Sequence, residues 1–221
     1  MSDFPDGANA DASIKARLRT DILARRRKLT TDQVAAANER IVAGLYRFID
    51  WCAPLLVAGY APIGTEPGGS DLPQRLADLV GGPDRVLLPI LLPDRDLGWA
   101  RLDDAGLTRC GDAGQLLSRG AAGLREPTGR RLGPAAIADA DLVVVPALAV
   151  DLQGVRLGRG GGSYDRALAR VHPGVPVVAL VHDGEVLPDL PAQAHDRPVT
   201  AVLTPAGLRW LGDHRDDRAT W

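Results

Sequence analysis

The sequence predicts an α/β fold, a single domain with a mostly parallel sheet and helices on both faces. Three observations carry this. Short apolar runs alternate with stretches of helical periodicity, the texture of strands buried on both faces and of the helices that cover them. The 221 residues are 45% hydrophobic, enough for one full core. No linker and no internal repeat divides the chain, so residues 13–221 are expected to form one domain behind a tail at 1–12.

The tail, MSDFPDGANADA, is small and polar and is expected to be disordered. A helix is expected from about Ser13, a plausible N-cap, because Ile14, Leu18 and Ile22 recur every four residues. Arg25, Arg26, Arg27 and Lys28 suit the negative end of its dipole, and a solvated helix end accounts for them. A second helix starts near Thr30, where Thr30 and Gln33 match a capping box, and Val34, Ala37, Ile41, Leu45 and Phe48 form its buried stripe. PLLVAGYAP (54–62) is a short apolar run between turn signals, hence a buried strand. Ser70 opens a helix with Leu72, Leu76 and Leu79 on one side. RVLLPIL (85–91) is another strand, LGWARL (97–102) alternates like a half-exposed one, and residues 103–135 are loop-rich. DLVVVPALAV (141–150) is the strongest strand, and Gln153-Gly154 turns the chain after it. A helix follows from about Ser163, then the strands VPVVALV (175–181) and AVLT (201–204). Thr204 and Pro205 match the N-cap and N1 of a terminal helix.

Composition narrows the function. A net charge of −2 gives no global field for nucleic acid, so any anion site is local. Cys52 and Cys110 form no CxxC and read as free thiols of a reducing compartment. His172, His182, His195 and His214 have no metal-ligand spacing. No apolar run reaches the ~18 residues of a membrane span, and the N-terminus has no signal core. A cytoplasmic protein without nucleic-acid or membrane partners is expected.

The strongest chemical signal is RLGRGGGSYDRAL (156–168), set between a buried strand with its turn and a helix. Its glycines let backbone N–H groups approach an anion without Cβ obstruction, and the positive end of the following helix points to the same place. Arg159 adds a full charge, and Asp165 is placed to hold a divalent ion on a phosphate. The stretch is neither a P-loop nor a dinucleotide fingerprint. For a glycine run alone, a flexible surface turn is an equal reading; the flanking Arg, Tyr and Asp tilt it toward an anion site. GYAPIGTEPGGSDL (59–72) leaves the end of a buried strand, where open α/β sheets place ligands, and carries Glu66. A lone loop carboxylate is more often simply solvated. Lys15 and Arg19 stand four apart on one helix face, which by itself says only a polar face. LREP (124–127) says only loop.

In order, these pieces resemble the 5-formyltetrahydrofolate cyclo-ligases, also called methenyltetrahydrofolate synthetases. The resemblance runs from about Ile14 to Leu203 and rests on Lys15-x-x-x-Arg19, the strand and loop with Glu66, LREP and, most specifically, DLVVVPALAVDLQGVRLGRGGGSYDRAL. It implies a single α/β domain that uses ATP and Mg²⁺ to convert 5-formyltetrahydrofolate to 5,10-methenyltetrahydrofolate, releasing ADP and phosphate. It implies that Lys15 and Arg19 contact ATP phosphates, and that Arg159, Gly160, Gly161, Gly162, Ser163 and Tyr164 wrap the nucleotide. Arg159 to Ser163 would also approach the folate, which Ala61 and Glu66 line. Arg159 would stabilise phosphate charge, Asp165 would bind Mg²⁺, and no side chain would act as a nucleophile. A monomer or weak dimer is expected.

Two positions depart from the family pattern. The family usually has two aromatic residues before the metal-binding Asp; here Ser163 takes the first place. Many members carry a second Asp for Mg²⁺ where this chain has Thr200, an uncharged hydroxyl, with Asp196 close by in sequence. These departures raise an alternative: a catalytically weak homologue that binds folate or nucleotide without efficient turnover.

Overall fold

The computed structural model describes residues 6–102, 107–109, 125–127, 130–193 and 196–212. Much of the loop-rich stretch at 103–135, together with Cys110, His195 and His214, lies outside the described residues. In chain order the elements are α1 (Asp6–Arg26), α2 (Thr31–Cys52), β1 (Val57–Ala58), α3 (Leu72–Val80), β2 (Val86–Leu91), β3 (Leu97–Arg101), β4 (Leu107–Arg109) and β5 (Arg125–Pro127). There follow β6 (Arg131–Leu132), β7 (Leu142–Pro146), β8 (Ala149–Asp151), β9 (Arg156–Leu157), α4 (Ser163–Leu168), β10 (Val177–Leu180), β11 (Val186–Leu187), β12 (Ala201–Thr204) and β13 (Gly207–Trp210).

The main sheet has eight strands in the order β13-β12-β10-β7-β1-β2-β3-β6. Its five central strands, β12 to β2, run parallel; β13, β3 and β6 close the two sides antiparallel. The predicted α/β class and mostly parallel sheet are what the structure has.

The central strands alternate between two cores. Val57, Leu142 and Val144 face α2 and α3, packing with Ile41, Leu45, Phe48 and Leu76. Ala58, Val143 and Val145 face the other side, covered by α4, by Trp99 and by a short 3₁₀ segment around Ile137. Side chains of successive residues point to opposite faces, so a strand buried on both sides reads as an unbroken apolar run. A small sheet, β11-β8-β9, stands beside the main one and packs Ala149 and Leu157 against Ile22 of α1.

The capping box of α2 is present: Gln33 N donates to Thr30 Oγ1 and Thr30 N to Gln33 Oε1. Other elements differ from expectation. Helix α1 begins at Asp6, so residues 6–12 continue the helix rather than form a tail, and Ser13 is internal to it. Of its apolar face Ile22 is buried, whereas Ile14 is exposed and the neighbouring Lys15 is buried, because this end of α1 packs over the charged wall of a cavity. Helix α3 starts at Leu72 with Asp71 as N-cap, not at Ser70. The 141–150 run splits at Ala147-Leu148 into β7 and β8, which belong to different sheets. LGWARL is buried over Leu97–Ala100 rather than half-exposed, since β2 and β6 flank it. Within LREP, Leu124 is not described, and Arg125–Pro127 is strand β5, paired with β4. The helix expected at Thr204-Pro205 is instead a turn into β13: Thr204 Oγ1 accepts from Ala206 N, and Gly207 adopts φ +136°. Trp210 then packs edge-on against Phe48 and Trp51, which favours the strand over another helix.

Candidate active site

Segments distant in sequence meet at the C-terminal ends of β1, β2 and β7 around a cavity of about 350 Å³. Open α/β sheets bind ligands at this end because the strands stop there and the connecting loops diverge. The floor and walls are apolar: Tyr60, Ala61, Ile63, Pro89, Leu91, Leu97 and Pro146 to Leu148. The remaining wall carries charge, with Lys15 and Arg19 from α1, Arg156 from β9, Arg159 from the glycine loop, and Glu66, Asp165 and Asp196 among them.

Lys15 and Arg19 lie on one helix face, as their spacing requires, and both reach the cavity. Lys15 Nζ pairs with Asp196 Oδ2 at 2.9 Å, a residue 181 positions away. Arg19 Nε donates to the Gly158 carbonyl at 2.9 Å, which docks α1 onto the start of the glycine loop.

Within that loop Gly160 and Gly162 adopt φ +99° and +67°, conformations that L side chains rarely take. A Cβ on Gly160 would also stand 3.4 Å from the Arg19 guanidinium. Gly161 faces the cavity with no such constraint; a Cβ there would meet only Ser163 Oγ, at 3.5 Å. Helix α4 spans only six residues, so its dipole contributes little, and the positive charge at this wall comes from the arginines on and beside the loop. Ser163 lines the cavity, but its hydroxyl donates to the Arg95 carbonyl at 2.6 Å.

Glu66 is 7% exposed. Its Oε2 accepts from Ile63 N and its Oε1 from Arg159 Nε, both at 2.9 Å. The loop carboxylate is therefore built into the wall rather than solvated. Tyr60 and Tyr164 stand near it. Burial, followed by the Glu66 charge, pushes both phenols well above their ordinary range, so both remain neutral. The Tyr60 hydroxyl donates to the Pro67 carbonyl.

Asp165 reaches the cavity from the first turn of α4 and pairs through Oδ1 with Arg156 Nη2 at 3.2 Å. Its Oδ2 has no hydrogen bond among the described residues. Mg²⁺ is usually held by one or two carboxylates together with phosphate oxygens and waters. The free Oδ2 fits that donor set. Among the described residues no group of three or more His, Cys, Asp or Glu is assembled, so phosphate oxygens would have to complete the shell. Thr200 is not part of this site. Its hydroxyl bonds the N–H and carbonyl of Val177, at the start of β10 and the opposite end of the sheet. A short side chain there cannot reach a cavity at the strands' other ends. Asp196 does line the cavity, paired with Lys15.

Sequence reasoning missed Arg156 and Arg26. Arg156 is buried, and its guanidinium lies 5.4 Å from the centroid of the Tyr164 ring. Arg26, read as part of a solvated helix end, is 2% exposed. It forms a forked pair with Glu185 at 2.8 and 2.6 Å and donates to the Ala147 carbonyl at 2.7 Å. The only local signal was its place one turn beyond Ile22 on the same face.

The model of the 5-formyltetrahydrofolate cyclo-ligase family matches residues 11–205. A 5-formyltetrahydrofolate cyclo-ligase of Mycolicibacterium smegmatis is 38% identical over 200 residues, covering 86% of this chain and 93% of that protein. The 5,10-methenyltetrahydrofolate synthetase of Aquifex aeolicus superposes with a TM-score of 0.70 at 29% identity, covering 94% of this chain and 96% of that one. A 5,10-methenyltetrahydrofolate synthetase of Mycoplasma pneumoniae has the same fold, with a TM-score of 0.63 at 19% identity over 86% of this chain and 98% of that one. No described helix is long and apolar enough to cross a membrane.

Proposed function

The chain belongs to the 5-formyltetrahydrofolate cyclo-ligase family, and from that premise we propose that it is an ATP- and Mg²⁺-dependent ligase that closes 5-formyltetrahydrofolate to 5,10-methenyltetrahydrofolate. The observation that carries the reading is a single cavity with an apolar floor for a fused ring, into which Lys15, Arg19, Arg156 and Arg159 converge.

The chemistry accounts for these residue types. A formyl group on nitrogen is an amide, resonance-stabilised and weakly electrophilic, and its oxygen is a poor leaving group. The formyl oxygen attacks the γ-phosphorus of ATP, forming an O–P bond as ADP leaves. N10 then attacks the activated carbon, the C–O bond breaks with loss of phosphate, and N10 loses its proton. The product ring keeps the positive charge of an amidinium. No protein nucleophile is required; the chain binds, orients and neutralises charge.

Lys15 and Arg19 hold phosphate oxygens from α1, and Arg159 stabilises charge on the transferred phosphoryl group. Gly160, Gly161 and Gly162 admit the nucleotide to the backbone beside Ser163 and Tyr164. Ala61 and Glu66 face the folate, where Glu66 accepts from its ring N–H groups. Asp165 would hold Mg²⁺, which when bound with the nucleotide offsets phosphate charge. Each cation already faces a protein acceptor: Lys15 on Asp196, Arg159 on Glu66, Arg156 on Asp165 and Arg19 on the Gly158 carbonyl. Phosphates thus meet side chains held in place rather than free in solvent.

The test is to mix the protein with 5-formyltetrahydrofolate, ATP and Mg²⁺ and follow the near-ultraviolet absorbance of the methenyl product. ATP- and Mg²⁺-dependent product formation is expected. Binding of both ligands with no product would favour the alternative of a weak homologue, which Ser163 turned toward Arg95 and Thr200 outside the cavity motivate. We further propose that the chain acts as one catalytic domain, cytoplasmic and monomeric or weakly dimeric.

A further inference from the structure

His182 follows β10 at the same end of the sheet as the cavity but does not line it. It is buried, and its Nε2 lies 2.8 Å from the Thr65 carbonyl. A carbonyl can only accept, so Nε2 carries the hydrogen. Thr65 immediately precedes Glu66, in a turn closed by Glu66 N on the Ile63 carbonyl and Ile63 N on Glu66 Oε2. Among the described residues, the other hydrogen bond that ties residues 63–66 to the rest of the molecule is the ion pair with Arg159. The Arg159 side chain is 54% exposed, and in the proposed reaction it serves the phosphate.

His182 is itself held firmly. Its backbone N–H donates to Glu185 Oε2 at 2.7 Å, and Glu185 N donates back to the His182 carbonyl. Glu185 is gripped by Arg26 of α1, the helix that also carries Lys15 and Arg19 into the cavity. A continuous series of polar contacts therefore runs from α1 through the buried Arg26, Glu185 and His182 to the half-buried Thr65 carbonyl in the turn bearing Glu66.

We propose that His182 is a positioning residue for Glu66, fixing the turn that presents this carboxylate to the folate and referring its position to the phosphate-binding helix. Buried hydrogen-bonded series hold one geometry because each unmade bond inside is expensive. The proposal rests on Glu66 facing the folate.

The test compares His182→Ala with His182→Gln, whose amide Nε2 can donate to the same carbonyl. In the free protein, amide hydrogen exchange of a peptide spanning residues 63–66 reads the turn without any ligand. Exchange is expected to be faster in His182→Ala and largely restored in His182→Gln. In the assay, the KM for 5-formyltetrahydrofolate is expected to rise about tenfold in His182→Ala while that for ATP stays within about twofold, and His182→Gln recovers most of the loss. Unchanged exchange, an equal rise in both KM values, or a Gln variant no better than Ala overturns the proposal. Wild-type protein without turnover would instead sink the cyclo-ligase reading, and the exchange comparison would then decide by itself whether His182 positions the turn.

Discussion

Arg159 Nε donates to Glu66 Oε1 at 2.9 Å, joining the glycine loop to the turn after β1 across 93 positions of sequence. The pair spans the two sides of the cavity that the proposed reaction assigns to phosphate and to folate. Its two members differ in burial: the Glu66 side chain is 9% exposed and that of Arg159 54%. Arg159 is the member open to solvent, while Glu66 is built into the wall.

Glu66→Gln is therefore expected to act on one substrate. It keeps the volume but replaces one acceptor oxygen by a donor, so the KM for 5-formyltetrahydrofolate should rise about tenfold and that for ATP by less than about threefold. Steady-state kinetics with each substrate varied in turn checks this. A defect confined to ATP would move Glu66 to the nucleotide side.

Asp165→Asn is expected to lower turnover by at least about a hundredfold and to raise the Mg²⁺ concentration needed for half-maximal rate. The same change leaves Arg156 without its ionised partner, so a thermal melt should accompany the Mg²⁺ titration. An unchanged Mg²⁺ requirement would remove Asp165 from the metal site.

Glu185→Gln is expected to destabilise the fold by about 3–5 kcal/mol, because it leaves the Arg26 guanidinium buried without a counter-charge. Urea unfolding measures the loss. The double variant Arg26→Met with Glu185→Leu should lose less than Glu185→Gln alone, since no charge is then left buried.

Gly161→Ala and Gly160→Ala separate access from backbone strain. At Gly161 the backbone has no left-handed requirement and a Cβ finds room, so stability should change by less than about 0.5 kcal/mol while ATP affinity falls. At Gly160, with φ +99°, about 1–2 kcal/mol of stability should be lost as well. Thermal melts and nucleotide titrations distinguish the two outcomes, and full ATP affinity in Gly161→Ala would mean that the nucleotide does not approach this backbone.

Asp96 provides a pH test. Its hydrogen bonds from Arg170 hold the carboxyl below its ordinary 3.8, against the opposing effect of burial. A lowered folded value means that the unfolded chain binds the proton more readily. The contribution is therefore present above about pH 4 and lost as pH falls through the folded value. Asp96→Asn should remove that part of the acid-side loss in stability measured by urea titrations at several pH values, and an unaltered profile would show the pair to be energetically idle.

The boundary between what was legible and what was not follows the range of the interactions. Strand identity in β2, β7 and β10 was readable because burial on both faces leaves a continuous apolar run, and the start of α2 was readable because a capping box closes within four residues. The glycine loop, with Lys15, Arg19 and Glu66, sufficed for the family. Thr204-Pro205 misled because its local pattern suits a helix start, whereas the strand partner Ala201–Thr204 and the aromatic packing of Trp210 made a hairpin.

By itself, then, the sequence determined the α/β class and the family, since these depend on residue type and short-range spacing, and it pointed to Lys15, Arg19, Glu66, Arg159 and Asp165 but not to Arg156. The tertiary structure alone decided which charges face each other: Lys15 with Asp196, Arg159 with Glu66, and Arg26 with Glu185. It also excluded Thr200, because strand direction sets the end of the sheet at which a side chain emerges. The physical reason is that a charged side chain carries no mark of its partner. An arginine in a helix's last turn has the same letter whether it is solvated or buried, and only the approach of a distant carboxylate distinguishes the two.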